Sequence, residues 1–380
     1  MKKIIIGLLI TALVTAVILS AGCVDNGGNA GNDERTITVT DAVGRTVTIP
    51  DNPQKIAVSG SGALRYFVYL NIPLDRVVIV DDYDSKENTL DNDRRPYRLA
   101  HPEMLTIPAI GSKTQAVDYE KLMKSGAEVL FLSTFAATYE TAEEITSKTG
   151  VPVVMFYTGD YVNDVDKIHE TFRLIGGIFH NEKRTEELIK YFTSVEEDLK
   201  SRIPKGISES EKPTVYIAGV AYRGGHGIEG TDPYYYPFTV LGAKNVAGDI
   251  GFSQTIGYAE IAKEQLLEWD PDIIFIDLST LHAKGGGAIH ELKTDRSYQQ
   301  LTAVKNGQVY TVNPHTSFCV NFETTLANAY YIGKILYPEQ FTDIDPAEKA
   351  DEIYKYVDGG AVYNQLKTNL QGLSYTKLEI

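Results

Sequence analysis

The sequence contains few of the residues from which disulfide frameworks and zinc sites are built. Its 380 residues include 2 cysteines and 7 histidines. Two cysteines, one of them at the end of an N-terminal apolar run, do not make a disulfide framework. The histidines are scattered and form no H-E-x-x-H pair, so the pattern does not indicate a zinc hydrolase. We expect the second cysteine, Cys319, to be a small buried hydrophobic residue.

Motifs for nucleotide binding and acyl transfer are missing or incomplete. There is no G-x-x-x-x-G-K-[ST] sequence, which excludes a P-loop, and no G-x-S-x-G elbow. Gly60-Ser61-Gly62 follows an apolar segment, but Arg65 stands where a dinucleotide fingerprint needs its third glycine. The sequence therefore carries no positive sign of an enzyme, and we expect a protein without catalytic residues or cofactor.

Basic residues are outnumbered by acidic ones. The chain has 36 Lys and Arg against 51 Asp and Glu, a formal charge of −15. A nucleic-acid binder normally shows a basic stripe, so that class is excluded. An apolar fraction of 43% and a charged fraction of 23% exclude wholesale disorder and a multi-span membrane protein. At about 150 residues per domain, the length indicates two domains.

The N-terminal segment has the layout of a secretory signal. Two lysines precede an apolar run from Ile4 to Leu19, and Ser20-Ala21-Gly22-Cys23 follows. Small residues before a cysteine resemble a lipobox, although Ser20 stands where leucine is usual. We predict a lipoprotein signal peptide over residues 1–22 and lipidation at Cys23. An uncleaved anchor helix is the alternative, and both place the remaining chain outside the cytoplasm at a membrane.

The segment after this signal predicts a flexible tether over residues 23–35. It is rich in Gly and Asn and has almost no large apolar side chain, so it cannot bury a core. Such a spacer lets a lipid-anchored protein stand off the membrane surface.

From residue 36 onward, short apolar segments alternate with helical patterns. Alternating β-branched residues over 36–50 predict a β-hairpin. Strands that alternate with helices indicate parallel sheets covered on both faces. We therefore predict an α/β fold of two Rossmann-like lobes, over 36–162 and 213–342, with a helical extension over 343–380. In that extension, Asp345-Pro346 predicts the start of a helix that ends near Gly359-Gly360. The predicted strands are 55–59, 77–80, 129–132, 153–156, 214–219, 273–278 and 309–312, and the predicted helices include 63–70, 118–125, 139–148, 259–268 and 323–336.

A long amphipathic helix is predicted between the two lobes. Residues 163–203 repeat apolar side chains at spacings of three and four, interrupted at Gly176-Gly177. Asn181 can cap a second helix that runs to Ile203, a length of ~34 Å at ~1.5 Å per residue. Between two α/β blocks, such a helix is expected to be a rigid connector, and an ordinary surface helix is the alternative.

Two segments repeat one pattern in the two lobes. Glu120 opens a short helix that precedes the strand sequence GAEVLFL, and Glu264 opens one that precedes DPDIIFI. With TVTIPDNPQKIAV, NEKRTEELIKYFTSVEEDL and AYYIGKILYPEQF, these segments resemble the class III substrate-binding proteins of ABC importers for iron complexes, haem and cobalamin. The resemblance runs from about Thr36 to Pro338, and it depends on the ordered set of segments rather than on any single motif.

The resemblance implies a receptor that captures an iron chelate, such as a siderophore complex, in the cleft between its lobes. It implies delivery to a membrane permease that works with a separate cytoplasmic ATPase, and docking of Glu120 and Glu264 on permease arginines. Since the helix dipole also favours glutamate in a first turn, plain helix starts are the alternative for both residues. We expect a monomer. Cobalamin, haem, or an oxyanion such as molybdate or tungstate are alternative ligands, and an extracytoplasmic enzyme and a scaffold protein are alternative functions.

Cleft residues are expected in loops after strand ends that face the other lobe. Arginine can fork two hydrogen bonds to an anion, and tyrosine offers a flat surface with a polar tip to a bulky chelate. A histidine at 226 or 101 would suit an axial metal ligand of haem or a corrinoid. For each of these loops, a solvated turn is the alternative. The candidate ligand-binding residues are Arg65, Tyr83, Arg95, Tyr97, Tyr222, Arg223, His226 and Tyr235.

Overall fold

The computed structural model describes residues 35–85, 89–111, 117–159, 164–222, 224–250, 257–283 and 285–380. The predictions for the signal peptide, Cys23 and residues 23–34 of the tether lie outside these residues, and so does the candidate Arg223. Within the described part, no helix combines the length and the apolar character needed to cross a membrane.

The predicted N-terminal hairpin is confirmed. Strands β1 (Thr36–Thr40) and β2 (Thr46–Pro50) pair in antiparallel register, with Thr36 opposite Pro50. In the turn, the Asp41 carboxylate accepts hydrogen bonds from the backbone N–H groups of Val43 (3.1 Å) and Arg45 (2.9 Å). The aspartate carboxylate thus takes the place of a backbone carbonyl in closing the turn, as is typical of this residue.

The first lobe is a parallel sheet in the order β4-β3-β5-β6, with helices on both faces. Every residue of β3, β5 and β6 is buried, as expected for a parallel sheet covered on both sides. The elements are β3 (Ile56–Ser59), α1 (Leu64–Tyr69), β4 (Val77–Val80), α2 (Pro96–Ala100), α3 (Tyr119–Ser125), β5 (Val129–Ser133), α4 (Tyr139–Thr149) and β6 (Val153–Phe156).

Helices α5 (Val165–Ile178) and α6 (Glu182–Ser201) follow the first lobe. The 20 residues of α6 span ~30 Å, and the helix touches both halves of the molecule. On the first-lobe side, Phe192 stacks on Phe172 of α5, with ring centroids 6.2 Å apart. On the other side, Glu196 accepts a 3.1 Å hydrogen bond from the Tyr236 hydroxyl. Asn181 makes no capping hydrogen bond, because its amide donates to the backbone oxygen of Leu70 instead (2.6 Å).

The second lobe repeats the arrangement, with a parallel sheet in the order β12-β11-β7-β9. The predicted helix over 259–268 starts later, because Ala259 and Glu260 pair with Gly230–Thr231 and Ala262 is extended. The elements are β7 (Thr214–Ala218), β8 (Gly230–Thr231), α7 (Tyr236–Val240), β9 (Lys244–Asn245), β10 (Ala259–Glu260), α8 (Lys263–Trp269), β11 (Ile273–Asp277), α9 (Gly287–Thr294), α10 (Thr302–Lys305) and β12 (Val309–Val312).

Three further helices close the chain: α11 (Phe322–Leu336), α12 (Pro346–Asp358) and α13 (Tyr363–Asn369). Helix α12 begins where the sequence predicts it, with Asp345 accepting from the N–H of Glu348 (3.1 Å) and Pro346 in the first turn. It ends at Gly359, whose φ of +83° suits glycine. The chain then returns to the second sheet, where the N–H of Leu378 donates to Val309.

One hydrophobic core joins the inner faces of both sheets through α6 and α11, and each sheet has a smaller core on its outer face. Residues 35–380 form one unit that contains both four-stranded parallel sheets. The predicted fold class, α/β with two parallel-sheet lobes, is confirmed.

Candidate functional site

A cavity of about 790 Å³ lies between the two sheets. Its lining loops follow the carboxyl ends of parallel strands, the place where open α/β sheets bind ligands. The first lobe contributes Ser61 after β3, Tyr83 and Arg94 after β4, and Phe135 after β5. The second lobe contributes residues 221, 222, 224, 225, 257, 258, 279, 282, 283 and 316–319. Residue 223 lies outside the described chain.

Arg94 is the one Lys or Arg among the described lining residues, and no Asp or Glu is among them. The guanidinium of Arg94 donates a hydrogen bond to the backbone oxygen of Ser279 across the cleft, so it joins the two lobes at the cavity wall. Asp277 and Asp93 interact with this charge from outside the described wall. Within the described wall Arg94 is the one charged side chain, which favours an anionic ligand.

Aromatic rings form two surfaces in the cavity. The rings of Tyr83 and Phe318 have centroids 4.4 Å apart, and those of Tyr222 and Tyr258 stack at 5.2 Å with an interplanar angle of 23°. Phe135 is 40% exposed. Burial, with the charges of Asp82 and Asp81, raises the pKa of the Tyr83 hydroxyl, which therefore stays protonated as a donor. The cavity thus offers flat apolar faces beside polar tips.

Two predicted site residues of the first lobe, Arg95 and Tyr97, are buried beneath the wall and do not line it. Arg95 forms ion pairs with Asp84 (3.0 Å) and Asp93 (2.9 Å), and the Tyr97 hydroxyl donates to Asp84 (2.7 Å). Asp93 accepts from both the backbone N–H and the guanidinium of Arg95, and the guanidinium bonds turn this side chain inward while Arg94 faces the cavity. Arg95 still supports the wall, since its guanidinium carbon lies 4.5 Å from the centroid of the Phe318 ring.

Arg65 is fully buried and likewise does not line the cavity. Its guanidinium donates to the backbone oxygens of Ser317 (3.0 Å), Phe318 (2.6 Å) and Val320, so it holds a wall loop rather than facing a ligand. His101 lies elsewhere, with its ring nitrogens bonded to Glu103 and to the backbone oxygen of Asp358 (2.8 Å).

Of the predicted residues in the second lobe, Tyr222 lines the cavity and Tyr235 does not. Tyr235 is fully buried, and its hydroxyl accepts a hydrogen bond from the Asn328 amide (3.1 Å). His226 lies behind the tyrosine pair, with Nε2 bonded to the backbone oxygen of Tyr222 (2.7 Å) and its ring 4.7 Å from that of Tyr258. The structure therefore brings Tyr83 and Tyr222 to one cavity and uses His226 as support.

Cys319 lies in the cavity wall rather than in a core, and the residue as a whole is half-buried. Its thiol is buried, as expected, and this burial raises the pKa of the thiol. Cys319 and Phe318 both have positive φ angles, +73° and +52°, which turn the loop outward from the end of β12 toward the cleft. Left-handed backbone is uncommon for residues with a Cβ, and sequence patterns do not reveal it here.

A charged cluster beneath the cavity floor was not predicted from the sequence. His315 Nδ1 lies 2.6 Å from a carboxylate oxygen of Asp277, and Nε2 lies 3.5 Å from one of Asp232. Burial alone would lower the pKa of His315, but hydrogen bonds to Asp232 and Asp277 raise it to about 9. Asp277 also accepts from the hydroxyl of Ser279, which lines the cavity. The sequence offered a signal for this cluster, because Asp277 ends one predicted strand and His315 follows its parallel neighbour.

The two predicted docking glutamates occupy equivalent places in the two lobes. Glu120 lies in the first turn of α3, which precedes β5, and Glu264 in the first turn of α8, which precedes β11. Both side chains are exposed, and Glu120 pairs with Lys124 one turn later. Docking by these residues stays a prediction.

Comparisons with known proteins agree with this architecture. The family model for periplasmic binding proteins matches residues 66–316. The molybdate-binding protein MolA of Haemophilus influenzae is 23% identical over 338 residues, which cover 83% of this chain and 89% of MolA.

Solved structures show the same fold. A periplasmic solute-binding protein of Veillonella parvula has a TM-score of 0.67 at 18% identity, over 88% of this chain and 97% of the other. The petrobactin-binding protein YclQ of Bacillus subtilis has a TM-score of 0.54 at 17% identity, over 86% and 99%. These similar proteins are binding proteins rather than enzymes. The chain therefore belongs to the periplasmic binding protein family.

Proposed function

We propose that this protein is the extracytoplasmic receptor of an ABC importer for an anionic metal chelate, with an iron chelate of the siderophore type as the first candidate. The observation that carries the proposal is the composition of the cavity wall. Arg94 supplies a positive charge, the described wall holds no carboxylate, and aromatic surfaces come from both sides of the cleft. An organic chelate with negative oxygens and flat faces matches that set.

The size of the cavity favours a chelate over a bare oxyanion. Pockets of roughly 300–1,000 Å³ hold drug-sized ligands, and the volume of about 790 Å³ falls in that range. A tetrahedral oxyanion has five heavy atoms and would leave most of this space to water. Molybdate is the second candidate because a relative that spans most of the chain is named for it. Haem and cobalamin would find aromatic walls but, among the described lining residues, only His282 as an axial nitrogen donor.

The remaining features follow from the receptor role. Glu120 and Glu264, exposed at matching helix starts, dock on the permease, which works with a separate ATPase. Lipidation at Cys23 and a tether over 23–35 hold a monomeric receptor, with lobes over 36–162 and 213–342, at the outer face of the membrane. The protein binds and releases its solute without turnover and needs no cofactor.

The test is a binding panel with the mature-length protein. Tyrosine fluorescence is recorded while the protein is titrated with ferric citrate, ferric 2,3-dihydroxybenzoate, haem, cyanocobalamin and molybdate. After incubation, each compound is recovered and checked for chemical change. We expect an iron chelate to bind tightest, and Arg94→Gln to weaken it at least tenfold. Arg173→Gln is the matched control, since Arg173 is exposed and pairs with Glu186 on α6. Binding of molybdate alone would replace the first candidate by the second, and consumption of a compound would mean an enzyme.

A further inference from the structure

The loop 316–320 is the part of the cavity wall whose conformation is hardest to explain by local sequence. It follows β12 of the second lobe and leads into α11. Thr316 and Val320 form a backbone bridge, and the N–H of Ser317 donates to the oxygen of Cys319 (3.0 Å). Phe318 and Cys319 are both left-handed, although neither is glycine. Two consecutive left-handed residues with a Cβ need a stabilising contact from outside the loop.

That contact comes from the first lobe. The guanidinium of Arg65, on α1, donates to the backbone oxygens of Ser317, Phe318 and Val320. Hydrogen bonds from a charged donor are stronger than neutral ones, and a guanidinium can reach several oxygens at fixed angles. Arg65 itself is held in place, with its guanidinium carbon 5.1 Å from the centroid of the Tyr97 ring.

The glycine turn before α1 makes this contact sterically feasible. A Cβ on Gly62 would lie 2.1 Å from the backbone oxygen of Phe318 and 2.6 Å from the guanidinium of Arg65. The Gly60-Ser61-Gly62 segment therefore lets a loop of the second lobe approach α1 closely, which explains the glycine at 62 without a nucleotide.

We infer that Arg65 is a positioning residue: it fastens the loop 316–320 to the first lobe and so sets where Phe318 and Cys319 stand in the cavity wall. The loop is thus bonded to the first lobe through Arg65 and to the second through Thr316, whose hydroxyl donates to the backbone oxygen of Ala221 and whose backbone oxygen accepts from Ser279. Its role in ligand affinity rests on the proposed function, because it assumes that the ligand occupies this cavity. The position of the loop does not depend on that assumption.

Cys319 reports on the loop directly. In a Cys23→Ser background it is the one remaining thiol of the chain, and its rate of reaction with 5,5′-dithiobis(2-nitrobenzoate) measures how freely the loop opens. We expect Arg65→Gln to raise this rate at least tenfold, Arg65→Lys to raise it less, and Gly62→Ala to raise it while keeping the arginine. Arg45→Gln is the matched control, since Arg45 is a buried arginine bonded to Asp41 and to the oxygen of Val153, remote from the loop.

The second readout is the affinity for ferric 2,3-dihydroxybenzoate, with thermal unfolding measured alongside. Lower affinity and faster labelling in the Arg65 and Gly62 variants, with the Arg45 variant unchanged in both, would support the inference. An equal rise of the labelling rate in the Arg45 variant would mean that losing any buried arginine loosens the protein. That result would overturn the inference of a specific positioning role for Arg65. An unchanged rate in Gly62→Ala would overturn it even if Arg65→Gln did not fold. If the wild type binds neither ferric 2,3-dihydroxybenzoate nor ferric citrate, the proposed ligand is wrong and the labelling rates alone decide whether Arg65 positions the loop.

Discussion

The imidazole Nδ1 of His315 lies 2.6 Å from a carboxylate oxygen of Asp277, directly beneath the cavity floor. Both residues are buried, and Asp232 stands on the other side of the ring. The charged imidazole joins the ends of two neighbouring strands, β11 and β12, from which the cavity loops 279–283 and 316–319 depart. The strand ends that carry the cavity loops are therefore joined by an ion pair that depends on pH.

Stability should fall as the pH rises through 9. The pKa of His315 is about 9 in the folded protein and near 6.5 when unfolded, so its contribution is complete below pH 6.5 and is lost as the pH passes 9. Two to three pKa units correspond to about 3 kcal/mol. We expect His315→Gln to be about 3 kcal/mol less stable than the wild type at pH 6 and to approach it by pH 10, measured by urea unfolding.

The control for this prediction is His290→Gln, since His290 is an exposed residue of α9. The free energy of unfolding of this variant should equal that of the wild type at every pH. A constant difference between the wild type and His315→Gln from pH 6 to 10 would contradict a charged imidazole at this position.

The stacked pair of Tyr222 and Tyr258 should contribute to affinity through ring contact. Aromatic stacking is worth ~0.5–1.5 kcal/mol, which corresponds to roughly a two- to tenfold change in Kd. We expect Tyr222→Leu to weaken binding of ferric 2,3-dihydroxybenzoate by that factor and Tyr222→Phe to leave it near the wild-type value, by fluorescence titration. Tyr139→Leu, at a tyrosine outside the cavity wall, should have no effect. Equal losses in the Phe and Leu variants would assign the effect to the hydroxyl.

Charge reversal at the two exposed glutamates should separate transport from binding. Glu120→Arg and Glu264→Arg should each reduce uptake of labelled iron chelate by cells at least tenfold, because an arginine would meet the permease arginines. Affinity in solution should stay unchanged, since neither residue lines the cavity. Glu140→Arg, in the first turn of α4, is the control for helix-start electrostatics. If it reduces uptake equally, specific docking is ruled out.

Cys23→Ala should release the protein from the membrane. A lipid on Cys23 would be the anchor, so the variant should appear in the soluble fraction after cell lysis or in the medium. Cys319→Ala, which changes a thiol in the cavity wall, should remain membrane-bound. Membrane association of the Cys23 variant would favour the uncleaved helix instead.

Local patterns were enough to predict most elements. The hairpin, the apolar strands and the start of α12 depend on neighbours in sequence, namely alternation, buried runs and an aspartate before a proline. The helix over 259–268 was wrong at its start, because Ala259 and Glu260 pair with β8, some thirty residues earlier.

The sequence by itself determined the class of the fold, the order of its strands and helices and the loops that could form a site, since these follow from hydrophobic periodicity and turn residues. Only the tertiary structure decided which side chains face the cavity. Arg94 faces it and Arg95 does not, because a carboxylate two residues from Arg95 turns that arginine inward. Arg65 instead binds oxygens more than 250 residues away. Contacts of that range depend on how two lobes meet, which no local pattern encodes.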